Sequence, residues 1–407
     1  MTILVLGGGA SGMMAALSAA ENGQHHVVLL ERQARVGRKL LATGNGRCNL
    51  TNRRTSPAHY HGEDPDFCKP ALERFDVPST LDYFRSLGLV TVTEPSGRVY
   101  PFSDQANSVV DVLRFSLERS NLELRNGCEV LKVWRRRDGY LLKTTCGDVS
   151  GQRLIVAAGG AAGEKLGGTS SGYAVLETLG HRRTPLCPAL VQLITAGTVT
   201  RALKGIRAQA TIRLLDGSLC IAQSCGELQF TETGISGPAV FEISRAASVG
   251  PCGRCILLDL MPQMEHAQLV QLLKKKCVSL PNRAAEDLFT GILHNRLGKT
   301  LVKIAGISMD TPMISLTDSA LSHAAETAKA FELRYAGTQG MDCAQVTAGG
   351  IATADFDPYK LESSLAPGVY ACGEVLDIDG DCGGFNLQWA WSSGRLAGLS
   401  ASGEAEQ

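Results

Sequence analysis

Thr2 to Leu6 (TILVL) is an unbroken apolar run of the length of a strand buried on both faces. Gly7-Gly8-Gly9 breaks it, and Ser11 to Asn22, rich in Ala, Met and Leu, predicts a helix with Gly23 at its C-cap. His26 to Leu30 (HVVLL) predicts the next strand, ending at Glu31. A strand, turn, helix and strand within about 30 residues is the size of a βαβ unit. Further along, Pro70 to Leu87 predicts a helix and Leu89 to Phe102 a hairpin turning at Pro95-Ser96-Gly97. Ser108 to Ser120 predicts a helix, and Glu129 to Trp134 and Leu141 to Thr145 a pair of strands. Leu154 to Ala158 is a second buried apolar strand, running into Gly159-Gly160, and Tyr173 to Leu179 is a helix closed by Gly180.

From about Pro185 the texture changes. Alternation at Ala208 to Leu215 and Cys255 to Leu260 predicts antiparallel β structure. Glu265 to Ala305 has Leu at helical spacing, and Ser319 to Ala328 continues that character. After Gly340 strands and turns return, with Val369 to Cys372 as a last strand and Asn386 to Leu399 as a last helix. This pattern predicts one α/β domain built from both ends of the chain, with an insertion between about 190 and 345.

Composition narrows the field. The 407 residues leave room for two or three domains, and 40 Lys plus Arg balance 40 Asp plus Glu. No global field gathers nucleic acid or membrane, although a local basic patch stays open. The 13 cysteines are odd in number and scattered, as in reduced cytosolic proteins, and Cys252 to Cys255 is a lone CxxC without a second pair. Met1 to Leu17 lacks a basic leader and is interrupted by glycines, and no long apolar stretch predicts a membrane span. The expectation is a cytoplasmic chain with no membrane partner. The eight histidines are dispersed; His25, His26, His59 and His61 read as surface residues, and no metal site is expected.

The strongest chemical signal is Gly7-x-Gly9-x-x-Gly12 between a strand and a helix. Gly7 permits the tight turn, Gly9 lets the backbone approach a pyrophosphate, and Gly12 lets helix and strand pack closely. The helix start at Ala10 and Ser11 offers unpaired N–H groups to the phosphates. Glu31 lies about 20 residues further on, where a carboxylate accepts ribose hydroxyls and repels a 2′-phosphate. Three features favour FAD over NAD: the segment Arg32 to Asn52 directly after Glu31, the strand ending in Ala157-Ala158-Gly159-Gly160, and Tyr370-Ala371-Cys372-Gly373-Glu374, a strand ending in glycine and a carboxylate.

The segment Gly37-Arg38-Lys39-Leu40-Leu41-Ala42-Thr43-Gly44-Asn45-Gly46-Arg47-Cys48-Asn49-Leu50-Thr51-Asn52 resembles the signature of the BaiN/YhiN-type bacterial flavoproteins. Gly97 to Pro101, Thr231 to Pro238, Thr347 to Ile351 and Gly373 to Gln388 resemble other segments of that family, and the likeness runs from about residue 2 to 400. Ala158 departs from the Thr that related FAD proteins often carry there. The resemblance implies an α/β fold: a glutathione-reductase-type FAD-binding Rossmann domain (1–188 and 346–407), an inserted β-barrel-like domain (189–261 and 326–345) and a small helical domain (262–325). It implies an FAD-dependent oxidoreductase, with NAD(P)H as transient reductant. The substrates it implies are uridine in ribosomal RNA, an unsaturated oxo-bile-acid intermediate, or a small amine such as aminoacetone. An RNA-binding protein with structural FAD is the alternative of another class.

The expected FAD contacts are Gly7, Gly9, Ala10, Ser11, Gly12, Glu31, Arg32, Asn45, Val130, Ala158, Gly159, Gly160, Gly373 and Glu374. Arg38 and Lys39 are expected at phosphates, and Asn386, Leu387 and Gln388 beside the flavin ring, where helix N-terminal amides stabilise charge on its reduced form. Arg47, Cys48 and Asn49 are the candidates for the substrate side, with Cys48 either a redox thiol or proton donor or else a buried spectator. Arg32, Arg35, Arg38, Lys39, Arg47, Arg53, Arg54 and Arg135-Arg136-Arg137 are the cations that an RNA would use.

Overall fold

The computed structural model describes residues 1–404. The chain divides into two compact units, one of Met1–Cys187 together with the segment from Ala344 onward, the other of Pro188–Cys343.

The first unit is built on a five-stranded parallel sheet. Its strand order is Val369–Ala371, Arg153–Val156, β1 (Thr2–Leu6), β2 (His26–Glu31), Leu122–Asn126. Ile3, Leu4 and Val5 are fully buried, as a central strand covered on both faces requires. Helix α1 (Ala10–Ala19) is buried at every position except Ala10. It packs against the C-terminal helix Phe385–Ser402, and glycines permit the approach: a Cβ on Gly394 would lie 2.5 Å from the Ser11 carbonyl oxygen, and one on Gly398 2.4 Å from that of Ala15. The buried indoles of Trp389 and Trp391 donate to the carbonyls of Gly373 (3.1 Å) and Leu50 (2.9 Å), fixing that helix over the sheet and the signature segment.

Sequence expectations and structure differ in three places here. Helix α1 ends at Ala19, and Gly23 (φ 68°) turns the following loop instead of capping it. The helix expected over Pro70 to Leu87 is two helices, Lys69–Arg74 and Val77–Ser86. The Asp76 carboxylate accepts the Ser79 N–H at 2.9 Å, so an N-cap followed by proline starts a new helix inside the apolar pattern. The pair expected at 129–145 has a third strand: Val130–Arg136, Gly139–Thr144 and Gly147–Gly151 form one antiparallel sheet. The hairpin of Thr91–Thr93 and Arg98–Pro101 turns where the sequence places it.

The second unit contains a closed six-stranded barrel in the order Leu193–Thr195, Gly234–Ser236, Leu219–Phe230, Arg207–Asp216, Cys255–Asp259, Phe331–Thr338. The helix expected over Glu265 to Ala305 is broken into His266–Ser279 and Asn295–Ile304, because Pro281 has no N–H to continue the ladder. Residues 262–325 have no core of their own: Leu269, Leu273, Leu301 and Leu321 share one apolar cluster with the barrel's Ile256, Leu258 and Phe331. Among the described residues no helix is long and apolar enough to cross a membrane.

Candidate functional site

Register places the predicted cofactor residues at one edge of the parallel sheet. Leu6 lies opposite both Leu30 and Val156, and Val156 opposite Ala371. Gly7, Glu31, Ala157 to Gly160 and Gly373-Glu374 therefore leave the sheet together at its carboxyl end. The strand order reverses at β1, the switch point at which open α/β sheets bind ligands.

The three glycines do separate work. Gly7 has φ 105°, and a Cβ there would lie 2.5 Å from the Ala157 carbonyl oxygen. A Cβ on Gly12 would lie 1.8 Å from the Gly7 oxygen, so strand and helix meet without room for a methyl. A Cβ on Gly9 would meet nothing within 4 Å, so space opens before the start of α1. The first helical bond runs from the Met13 N–H to the Gly9 oxygen (2.9 Å), leaving the N–H groups of Ala10, Ser11 and Gly12 without an intrahelical acceptor.

The Glu31 carboxylate shapes this turn. It accepts the Gly8 N–H at 2.7 Å on one oxygen and the Gln33 N–H at 2.6 Å on the other, and each oxygen keeps a further lone pair. Lys39 and Glu374, from opposite ends of the chain, are paired at 2.9 Å, and Glu374 also accepts the Thr347 N–H at 2.8 Å. A Cβ on Gly160 would lie 2.4 Å from Thr347 Oγ1 and 2.5 Å from Glu374 Oε1, so a larger residue there would have to displace those two side chains. Gly159 (φ 72°) faces open space, and Gly373 (φ 75°) lies against the Ser11 side chain. Arg32 donates to the Gly167 carbonyl (3.3 Å) and Arg38 to the Gln33 amide oxygen (2.7 Å). Val130 is buried at the start of its strand, and Asn45 is exposed in a left-handed turn (φ 58°).

The C-terminal helix opens after Gly384 (φ 102°), and its first internal bond is from the Gln388 N–H to the Gly384 oxygen at 3.0 Å. The N–H groups of Phe385, Asn386 and half-buried Leu387 thus point outward at its positive end. Asn49 is buried, and its Oδ1 has no hydrogen-bond partner; a Cβ on Gly384 would lie 2.9 Å from it.

Other expected residues are placed differently from the sequence reading. Gln388 turns inward: fully buried, it accepts from Thr51 Oγ1 (2.6 Å) and donates to the Phe75 carbonyl (3.1 Å), Thr80 (2.8 Å) and Ser392 (2.9 Å). Its amide is spent on joining helices. The Asn386 amide bonds both the N–H (2.8 Å) and the carbonyl (2.7 Å) of Gly380 and holds the turn before the helix. Arg47 lies over the Tyr100 ring at 4.0 Å and pairs with Asp104 and Glu94, so its charge is committed to the hairpin loop. Cys48 is fully buried with φ 61°, and burial pushes its thiol up to about 12. Such a thiol stays protonated and out of solvent, which fits the spectator and not the redox group.

A cluster absent from the sequence reading lies beside this helix start. His59 Nδ1 is 2.9 Å and His61 Nε2 2.7 Å from the two oxygens of Asp381. The His59 ring stacks on Phe385, with centroids 4.2 Å apart and planes at 18°. Tyr60, between the two histidines, donates its hydroxyl to the Phe385 carbonyl at 3.0 Å. Burial works to raise the Asp381 carboxyl and is outweighed by the bonds to His61 and His59, so it sits below the ordinary carboxylate range. His59 and His61 keep part of their surface exposed, but the carboxylate they share was not legible because it lies more than three hundred residues away along the chain.

Comparison with known proteins agrees with this construction. Residues 1–400 match the family described as HI0933-like protein Rossmann domain. The chain is 38% identical over 402 residues to the 3-dehydro-bile acid delta(4,6)-reductase of Clostridium scindens, covering 98% of each chain. It is 30% identical over 393 residues to the ribosomal RNA dihydrouridine synthase of Escherichia coli, covering 96% of this chain and 95% of that one. In fold it is similar to the 3-ketosteroid-delta4-(5alpha)-dehydrogenase of Rhodococcus jostii, with a TM-score of 0.50 at 16% identity, over 98% of this chain and 96% of the other. The chain belongs to the HI0933-like family, a family of flavin-dependent oxidoreductases.

Proposed function

We propose that the protein reduces a carbon–carbon double bond conjugated to a carbonyl group, using FAD held at the carboxyl edge of the parallel sheet and NAD(P)H as electron donor. The observation that carries the cofactor part of this reading is the convergence at one switch point of the Gly7-Gly9-Gly12 turn, Glu31, Gly160 and the Lys39–Glu374 pair. The residues fit a dinucleotide. Space opens in front of Gly9 where a pyrophosphate would take the free N–H groups of α1, and the orphaned Asn49 Oδ1 lies near the C-terminal helix start, where a flavin ring N–H would satisfy it. Bound FAD would supply hydride transfer to a polarised alkene.

The chain's own residues bind and orient. Glu31 would add ribose hydroxyls to the amides it already accepts, and Lys39 would share its charge between Glu374 and the diphosphate. The positive end of the C-terminal helix would favour charge on the reduced ring. The named relatives support the substrate class: a 3-dehydro-steroid alkene and the uracil ring of uridine are both alkenes conjugated to a carbonyl, and the former relative is the more similar. A small apolar enone is the first candidate. Ribosomal RNA is the second, favoured by a cleft of 350 Å³ lined by Trp134, Arg135, Arg136, Leu141 and Asp148, an aromatic and cationic surface suited to an unpaired base and its phosphates.

The test is an anaerobic titration of the purified protein with NADH or NADPH, followed by a steroid enone or a uridine-containing RNA. Bleaching of a flavin spectrum and its return with the enone support the first candidate. Return with RNA alone, at a rate falling steeply with salt, supports the second. A protein that takes up no FAD refutes both.

A further inference from the structure

Reducing an alkene requires a proton as well as a hydride, and the sequence candidate for that role, Cys48, is buried. We propose that His59, held by Asp381 and stacked on Phe385 at the start of the C-terminal helix, donates the proton to the substrate carbon, with Asp381 and His61 as positioning residues. This rests on the alkene-reductase reading and deepens it.

Three observations carry the assignment. First, two imidazoles share one carboxylate: Asp381 bonds His59 through Nδ1 and His61 through Nε2, which leaves His59 Nε2 and His61 Nδ1 as the ring nitrogens not engaged by Asp381. A carboxylate in this position orients the imidazole and directs its other ring nitrogen away from the pair, as in other carboxylate–histidine pairs. Second, the cluster is neither sealed nor loose. His59, His61 and Asp381 keep 33%, 35% and 37% of their side-chain surface, so the rings can exchange protons with solvent. Third, the cluster is fixed to the site. The backbones of His61 and Tyr60 pair with Asp379 and Gly380, the Asp381 N–H bonds the His59 carbonyl at 3.0 Å, and Asn386 ties Gly380 to the helix start. His59 thus moves with Phe385, at the helix end proposed to face the flavin ring.

The balance of the step is simple. The two electrons and one hydrogen that arrive as hydride at one alkene carbon originate in the dihydronicotinamide. The electron pair left on the carbon next to the carbonyl takes up the proton from His59 Nε2, so an N–H bond breaks and a C–H bond forms. The neutral ring then recovers a proton from water.

The experiment compares wild type with His59→Gln, His61→Gln and Asp381→Asn in stopped flow, following bleaching by NADPH and recolouring by the enone separately. FAD affinity by fluorescence titration and deuterium incorporation from heavy water into the product are measured alongside. The expected result is recolouring slowed about 10²- to 10⁴-fold in H59Q, with bleaching and FAD affinity within threefold of wild type, and smaller losses in H61Q and D381N. In wild type, one deuterium enters at the carbon next to the carbonyl with a single stereochemistry, and in H59Q that stereochemistry is scrambled. Unchanged recolouring in H59Q, or an equal fall in recolouring, bleaching and FAD affinity, overturns the assignment and leaves a structural cluster. A wild type that bleaches and is recoloured by neither enone nor RNA overturns the alkene reading itself, and the proton-donor assignment with it.

Discussion

Gly9 and Gly12 lie three residues apart in one motif, and the structure gives them opposite consequences when each is changed to Ala. At Gly12 the added Cβ would stand 1.8 Å from the Gly7 carbonyl oxygen, 2.9 Å from the Gly7 carbonyl carbon and 3.3 Å from the Ala157 Cβ. Two of these are backbone atoms of the β1 turn, which cannot rotate away as a side chain would. G12A must force strand and helix apart, at a cost of about 3 kcal/mol or more. At Gly9 the methyl meets no protein atom within 4 Å, and φ is −77°, a value that Ala adopts freely. The loss of glycine at the N-cap, up to about 1 kcal/mol, is offset by the lower entropy of the unfolded chain, about 0.4–1 kcal/mol, so the apoprotein should keep its stability. The methyl instead projects into the space assigned to the pyrophosphate. Intrusion at a tight contact costs about 1–3 kcal/mol, or roughly 5- to 150-fold in FAD Kd. Urea unfolding of the apoproteins and FAD fluorescence titration measure the two effects separately. If G9A binds FAD like wild type, or loses as much apoprotein stability as G12A, the pyrophosphate site is misplaced.

Three further outcomes follow from other parts of the first unit. In the native protein Cys48 should resist iodoacetamide while exposed Cys146, Cys220 and Cys343 react, and Cys48→Ala should leave flavin bleaching intact; mass spectrometry of the alkylated peptides checks this, and rapid labelling of Cys48 would refute its burial. Gln388→Leu removes the acceptor of Thr51 and an amide NH2 whose two N–H groups are shared among three acceptors inside a packed junction, and should cost about 3 kcal/mol in urea unfolding with little change in the rate of flavin reduction. His181 is buried, stacked on Phe356 and bonded to Ser363, and burial pulls its pKa below the ordinary 6.5 despite the opposing charge of Asp355. The unfolded chain therefore takes up this proton first, so stability is full above about pH 6.5 and falls as pH drops from there toward the depressed folded value. The urea midpoint between pH 7.5 and 5.5 should show this slope, and His181→Leu should flatten it.

Local information was enough for the first βαβ unit. The apolar runs at Thr2–Leu6 and His26–Glu31 are strands because their residues suit burial on both faces, and the glycine spacing between them states its own steric reasons, which the Gly7 and Gly12 geometry then meets. The insertion was legible as a switch from apolar runs to alternation. Helix breaks at Asp76 and Pro281 were written in cap and proline chemistry, inside patterns whose apolar spacing continues across them.

Pairings between distant residues were not legible, because nothing in a sequence states which polar groups meet. Lys39 and Glu374 each looked like a cofactor ligand, and only the register of four parallel strands makes them partners as well. Gln388 looked like a flavin neighbour by its place in a motif, but helical phase turns it inward, one turn after residues whose N–H groups face out. His59 and His61 were unremarkable until the chain returned Asp381 between them. The sequence by itself thus determined the cofactor class and the strand–turn–helix proposed to receive it, since these depend on steric rules within a few residues. Tertiary structure decided which side chains are free for chemistry, because burial and hydrogen-bond partners are set by contacts between segments hundreds of residues apart.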